Sequence, residues 1–377
     1  MFARSLVGLT IGTLVACGGD SKDNTDNTDG TVDGNTTLLD SGPGGSGVFS
    51  QPAMLTARER PEAVLLGPGK LLVVGGSTMN GSPTNTAEIF ENGDWKGAPI
   101  MAAEGRENHT LTLLDNGDVI AAGGSFYFLN AMKTTERFSG DGWTAAADMV
   151  LEREQHTATL LADGRVLVTG GCGDQGCTVA PYAASEVFDG SSWSAIAPMS
   201  VPRFRHTATR LKNDKILLCG GGDALASCEL FDQTTNAFTP AASMANGRAH
   251  HRAVLLDDGR VLVTGGMGPN AGVLASAEIY DPAADAWSSA GDLTTARYLH
   301  SATKLADGRV AVIAGRDNNQ NYTSIEVYDP ATNSWTKTDD LAKRRDTHGA
   351  VLIGDAVLVF GGRGMGGDLD SVELYRP

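Results

Sequence analysis

The chain has 377 residues, 48 of them glycine, and a formal net charge of −16. A surface of that sign repels phosphate backbones and anionic headgroups, which argues against a nucleic-acid partner. Lys and Glu are scarce, and β-branched residues cluster in short runs closed by Gly-Gly, a composition that suits many short strands and tight turns and excludes a mainly helical fold.

From the N-terminus, residues 1–16 read as an export signal. Arg4 supplies the positive start, and Leu6 to Val15 form an apolar core too short to span a bilayer stably. The stretch ends Leu14-Val15-Ala16-Cys17 where a polar tract begins, and it resembles the lipobox of bacterial lipoproteins. The resemblance implies that Cys17 carries the lipid as the mature N-terminus. Gly18 in place of Asp implies sorting to the outer membrane, with membrane contact through the lipid anchor only. Residues 17–47 carry almost no bulky apolar groups, cannot offset the entropy of ordering, and are expected to form a disordered tether. Asp23, Asp26 and Asp29 recur every three residues where an EF-hand loop needs acids every two, so no calcium site is expected there.

Residues 48–377 are one repeat array. Gly-Gly pairs fall at Gly75-Gly76, Gly123-Gly124, Gly170-Gly171, Gly220-Gly221, Gly265-Gly266 and Gly361-Gly362, with Ala314-Gly315 in the remaining slot. The seven units are about 45 to 50 residues apart. Each holds four short apolar runs. His156 to Leu161 and Arg165 to Thr169 flank the hairpin turn Asp163-Gly164, and after a loop of variable length come Ser185 to Phe188 and a strand marked by Trp193. One four-stranded meander cannot bury both faces alone, so successive sheets must stack, and a closed all-β propeller leaves the fewest free edges. The last unit stops after its third strand. In every complete unit an aromatic stands six residues before the next unit's Met or Leu, and Phe49 stands six before Leu55. The spacing therefore predicts that Val48-Phe49-Ser50 supplies the missing strand of the seventh blade.

The Gly-Gly, third-strand aromatic and fourth-strand Trp resemble the kelch pattern over residues 48–377. The seven units and the Arg-x-x-His blade start are similar to the propeller of galactose oxidase and its bacterial relatives. That resemblance would bring a copper site of a Tyr cross-linked to a Cys, a second Tyr and two His. Nothing in this chain matches that set, so no metal, cofactor or oxidase activity is expected, and kelch repeats by themselves do not specify a function.

Seven Arg open the blades (Arg58, Arg106, Arg153, Arg203, Arg248, Arg297, Arg345), and seven Glu sit on third strands (Glu88, Glu136, Glu186, Glu229, Glu278, Glu326, Glu373). A pair repeated in every blade reads as a structural link, because the guanidinium fork can bond a carboxylate bidentately. His109, His156, His206, His251, His300 and His348 lie three residues after the blade Arg, with Pro61 in the first blade, and they read as structural for the same reason. Only His250 is irregular. The run Gly171 to Gly176 fits G-x-G-x-x-G, yet no helix can begin at Thr178-Val179-Ala180-Pro181, so no nucleotide site is read there.

Four cysteines remain after Cys17. The local pairings Cys172 with Cys177 and Cys219 with Cys228 are the most economical of three connectivities in an exported protein, and no pair has zinc-ligand spacing. Where units differ, function is expected. The long loops carry Phe126, Tyr127, Phe128 and Tyr182, which either meet a partner or sugar or pack over a neighbouring blade. Arg203 with Arg205, Arg252, and Arg344 with Arg345 give a basic accent on the face of the blade starts, suited to an acidic peptide or anionic sugar. The sequence thus points to a monomeric, lipid-anchored propeller of the cell envelope that binds an envelope or extracellular protein or a glycan. The alternative is a carbohydrate-acting enzyme such as a sialic acid isomerase or mutarotase. One unpaired carboxylate or imidazole in the channel would favour the enzyme, and a regular ring would favour the scaffold.

Overall fold

At the Asp-Gly turns the glycine must enter the left-handed region, with φ of +83° at Gly164, +91° at Gly259 and +85° at Gly308. The third blade shows the consequence. Thr157–Leu160 folds back on Val166–Thr169, which pairs with Ser185–Phe188 and then with Trp193–Ile196, all antiparallel. A computed structural model describes residues 45–79, 81–126, 130–173, 177 and 181–377. Within them seven such four-stranded sheets form a propeller, and no α-helix occurs. Export signal, Cys17 and most of the proposed tether lie outside the described residues.

Apolar side chains of adjacent sheets interlock. Leu72, Val74 and Met101 pack with Phe138 and Trp143 of the following blade, and the same layer recurs around the ring. In six blades the third-strand aromatic lies 5.0–5.2 Å from the fourth-strand aromatic, as for Phe90 with Trp95 and Tyr280 with Trp287. Burial of this area is the main driving force for the stack.

The seventh sheet is closed by the N-terminal strand Gly47–Gln51, which pairs with Val372–Arg376. The register differs by one from the spacing argument. Val48, not Phe49, lies opposite Tyr375, and Phe49 turns to the other face against the core of blade one. The reason is that Met54 is the buried residue of the first unit, at 4% exposure, while Leu55 is 62% exposed. Six residues before Met54 is Val48, so the spacing rule holds once its reference is the buried side chain. The sheet is closed by a valine where every other blade uses an aromatic.

Each blade is tied internally by its arginine. Arg248 Nη1 donates to the carbonyls of Gly265 (2.7 Å) and Ser276 (2.9 Å), and Nη2 to Ser276 Oγ (3.2 Å) and Glu278 Oε1 (2.6 Å). The seven Arg–Glu pairs all form, at 2.5–3.2 Å, and all seven Arg are at 0% exposure. The second residue of each Gly-Gly donates its N–H to the backbone carbonyl of the next blade's Arg at 2.8–3.0 Å, and Gly362 to Arg58 completes the circle. A Cβ on Gly265 would stand 2.4 Å from the Arg297 carbonyl, so the blade five crossing is tight, although blade six accommodates Ala314 in the same slot at φ +53°. Cys219 and Cys228 face each other across paired strands and are bonded, as are Cys172 and Cys177.

Two outcomes are expected. Removing residues 1–44 leaves the melting temperature nearly unchanged, whereas removing residues 1–51 also strips Val48 and Phe49 from their cores, costing roughly 3 kcal/mol or more; equal effects in thermal unfolding would refute strand donation. Arg297→Met strands the enclosed Glu326 carboxylate and should cost about 3–5 kcal/mol in denaturant titration. Lys304→Met, in an exposed pair with Asp257, should cost under about 1 kcal/mol.

Candidate functional site

The residues expected at a binding face separate into several groups. Arg203 and Arg345 are fully enclosed in the repeated ion pairs with Glu229 and Glu373, so they are architecture and offer nothing to a partner. Arg344 is exposed and held by Gln320 Oε1 (2.8 Å) and the Asn321 carbonyl (3.1 Å). Half-buried Tyr182 packs its ring 5.8 Å from the Arg153 guanidinium of its own blade. Phe126 lies in the short ribbon Ser125–Phe126, while Tyr127 and Phe128 lie outside the described residues. Arg205 and Arg252 come to the propeller axis.

Five of the six repeated histidines bridge blades, while both ring nitrogens of His109 are buried without a hydrogen bond. Nε2 of His156, His251 and His348 lies 2.9–3.1 Å from the hydroxyls of Thr110, Thr207 and Ser301 on the preceding blade, and His206 and His300 meet Thr157 and Thr264 in the same way. Burial holds all of them below the usual imidazole range, hence neutral. Among the described residues no three His, Cys, Asp or Glu side chains are placed to hold a metal ion.

The two residues between each blade's Arg and His form the axial mouth. The second of them is Arg60, Asn108, Gln155, Arg205, His250, Leu299 and Thr347 in blade order, and all seven have φ between +53° and +59°. This left-handed turn lets their N–H groups bond round the axis, as Arg205 to Gln155, His250 to Arg205, and Arg60 to Thr347. The backbone of this collar is sevenfold, but its side chains are not.

The first of the two residues divides the mouth into sectors. Blades seven, one, two and three bring Asp346, Glu59, Glu107 and Glu154, whereas blades four, five and six bring Phe204, Ala249 and Tyr298. In the acidic sector Arg60 is ion-paired with Glu107 and lies 3.7 Å from Glu59, and Arg316 lies 3.6 Å from Asp346. Asn108 Nδ2 donates to Glu154 Oε2 (3.0 Å), as does Ser125 Oγ (2.7 Å). In the other sector the Arg205 guanidinium stacks 5.0 Å from Phe204, with Nε on Gln155 Oε1 (2.9 Å), and the His250 ring lies 6.1 Å from half-buried Tyr298.

These networks leave buried polar atoms without hydrogen-bond partners: both Asp346 carboxylate oxygens, Glu59 Oε2, Asn108 Oδ1, Gln155 Nε2 and Thr347 Oγ1. Each such atom costs about 1–3 kcal/mol unless water or a ligand takes it, so their convergence marks a polar site. Burial, reinforced by Glu59, pushes the Asp346 carboxyl up to about 6, and burial brings Arg205 down to about 9. A cleft of about 260 Å³ opens beside the collar between Asp223, Met267 and Asn270, with Arg205 and His250 in its wall. A larger hollow of about 370 Å³ lies against Trp287 and Ser243 on the outer side of blade five, away from this cluster.

One layer inside the collar, the strand residue after each repeated His is a hydroxyl in four blades: Thr110, Thr157, Thr207 and Ser301. Blade one has Glu62 there, blade five has Arg252, and blade seven has Gly349. Both charged side chains are buried, at 5% and 9% exposure. Of the mouth and channel set, the sequence had singled out Arg205, Arg252 and His250. The four mouth carboxylates and Glu62 were missed, although each was legible as a departure from its six counterparts.

The sequence profile of the KLHDC2/KLHL20/DRC7 Kelch-repeats domain matches residues 155–362, more than half of the chain. No curated protein matches the chain. Among solved structures, a fungal alcohol oxidase of the AA5 family, in complex with copper, superposes with a TM-score of 0.72 at 20% identity, covering 88% of this chain and 76% of its own. At that identity the likeness is one of fold.

Because the Asp346 carboxyl is harder to ionise in the folded state, the folded protein binds the extra proton between the ordinary carboxylate range and about 6. Its contribution is therefore fully present at low pH and lost as pH rises through about 6. Asp346→Asn should raise stability by about 2–3 kcal/mol at pH 7.5 and by almost nothing at pH 4. Thermal unfolding at the two pH values checks this, and a pH-independent difference would contradict it.

Proposed function

The chain belongs to the kelch-repeat family, and from that premise we propose that it is a lipid-anchored cell-envelope module that binds a protein or glycan at the axial mouth. The observation that carries this reading is the loss of sevenfold symmetry at the two mouth positions, where buried polar atoms without hydrogen bonds share the collar with Phe204 and Tyr298. A rigid ring that presents carboxylates, amides and guanidinium groups beside Tyr298 and Phe204 suits a ligand with many hydroxyl or amide groups and one apolar face. The export signal and the Leu14-Val15-Ala16-Cys17 stretch support attachment to the outer membrane through lipid on Cys17, with the propeller as a monomer at the end of a tether. The charge of −16 supports a partner other than nucleic acid.

A second reading, a carbohydrate-acting enzyme such as a sialic acid isomerase or mutarotase, is favoured by one observation. Glu62 is a buried channel carboxylate with no hydrogen bond or ion pair to any described residue, the asymmetry that proton transfer would require.

Immobilised protein should retain a reproducible protein or glycan from envelope extract or a glycan array. Tyr298→Ala and Arg205→Ala should each weaken that binding at least tenfold with the melting temperature preserved. Recovery of nothing, or equal retention by the variants, would count against a mouth ligand. Turnover of an anionic sugar that vanishes in Glu62→Gln would favour the enzyme.

A further inference from the structure

Behind the collar, Glu62 and Arg252 are the two charged side chains among seven equivalent inner-strand positions. They stand on blades one and five, so they face one another across the axis instead of across a strand pair. Each acts on the other electrostatically, yet no ion pair within 4.0 Å joins them. Arg252 Nε donates to the His300 carbonyl at 2.7 Å, and no hydrogen bond from its two terminal nitrogens reaches a described residue. Its terminal nitrogens are not among the buried atoms that lack a partner, so they open to the channel, where acceptors from outside the chain can reach them. The blade arginines occupy theirs with two carbonyls and a glutamate, and Arg252 has no such set.

We propose that the axial channel behind the collar is a site for a small oxyanion of the carboxylate class, gripped by the Arg252 fork and capped by Glu62. The fork of a guanidinium matches the two oxygens of a carboxylate, and such a group bound to Arg252 would lie on the side from which Glu62 acts on it. Glu62 completes the site as a hydrogen-bond donor, because burial pushes its carboxyl up to about 8 and keeps it neutral at pH 7. The surrounding groups do not compete. His251, His300 and His348 beside Arg252 are held neutral by burial, and so is His109, which precedes the inner strand flanking Glu62. Arg252 itself, lowered by burial only to about 10, stays cationic. The site is independent of the mouth reading, because none of its residues belongs to the collar.

The test uses the whole chain with sodium acetate as the probe and sodium chloride at equal ionic strength as the control, read by thermal shift and calorimetry. Acetate should stabilise the protein saturably beyond chloride at pH 7. Arg252→Lys keeps the charge but not the fork, and should weaken acetate at least tenfold; Arg252→Met should abolish the effect. Affinity should fall several-fold between pH 7 and pH 9 as Glu62 ionises, and Glu62→Gln, which still donates, should bind at pH 7 and lose that pH dependence. Tyr298→Ala should leave acetate binding unchanged even where it removes a mouth ligand. The proposal is overturned if acetate and chloride act alike, if Arg252→Lys binds acetate as well as the native chain, or if Glu62→Gln keeps the fall with pH.

Discussion

The enclosed arginine that opens each blade holds both levels of the structure together. Its guanidinium ties the first strand to the Gly-Gly carbonyl, the start of the third strand and a glutamate, while its own carbonyl accepts the N–H of the preceding blade's glycine. A single residue therefore fixes the sheet and the angle between sheets. A lysine could not replace it, since a point charge offers no planar set of donors. The glutamate is spent in turn on the chain entering the blade, as Glu278 accepts the N–H groups of Ala245 and Asn246. In such a network the cost of burying two charges is offset by the bonds of the two terminal nitrogens, although Nε has no partner in six of the seven blades, and any single deletion exposes the full penalty.

This over-determined frame is what permits irregularity at its centre. The collar residues adopt a left-handed backbone that non-glycine residues avoid, and six backbone bonds between neighbouring blades, all but the one from Asn108 to Arg60, pin them there. With the backbone fixed, side chains there are free to vary without loss of the ring. Acids gather on four adjacent blades and aromatic or small residues on the other three, and one layer inside a lone glutamate faces a lone arginine. A molecule entering along the axis meets first a divided rim and then a narrow charged throat.

Most of the architecture was legible in the sequence because it repeats. Seven aligned Arg, Glu and Gly-Gly positions gave the blade number, the ion pairs and the inner strands, and the nearest-neighbour cysteines gave both disulfides. The closing strand was legible but its register was not, because an aromatic at Phe49 was weighed above the burial of Met54. Reading Arg203 and Arg345 as surface failed for a related reason. A cluster such as Lys343-Arg344-Arg345 looks uniformly exposed along the chain, yet only Lys343 and Arg344 face solvent, while Arg345 turns inward to Glu373. The site was harder to see, since the mouth positions look like spacers within Arg-x-x-His until the fold gathers seven of them at one axis.

The closing strand couples the order of synthesis to the order of assembly. Val48 is among the first propeller residues to be made, and its partner Tyr375 is among the last. Six sheets can stack as the chain emerges, but the first strand must wait, with an open edge, until almost the whole domain has been delivered. That interval is the period in which a half-built ring is exposed to strand exchange with another copy. A helper that shields residues 47–51 until the ring closes would act on the most vulnerable moment of this protein's life.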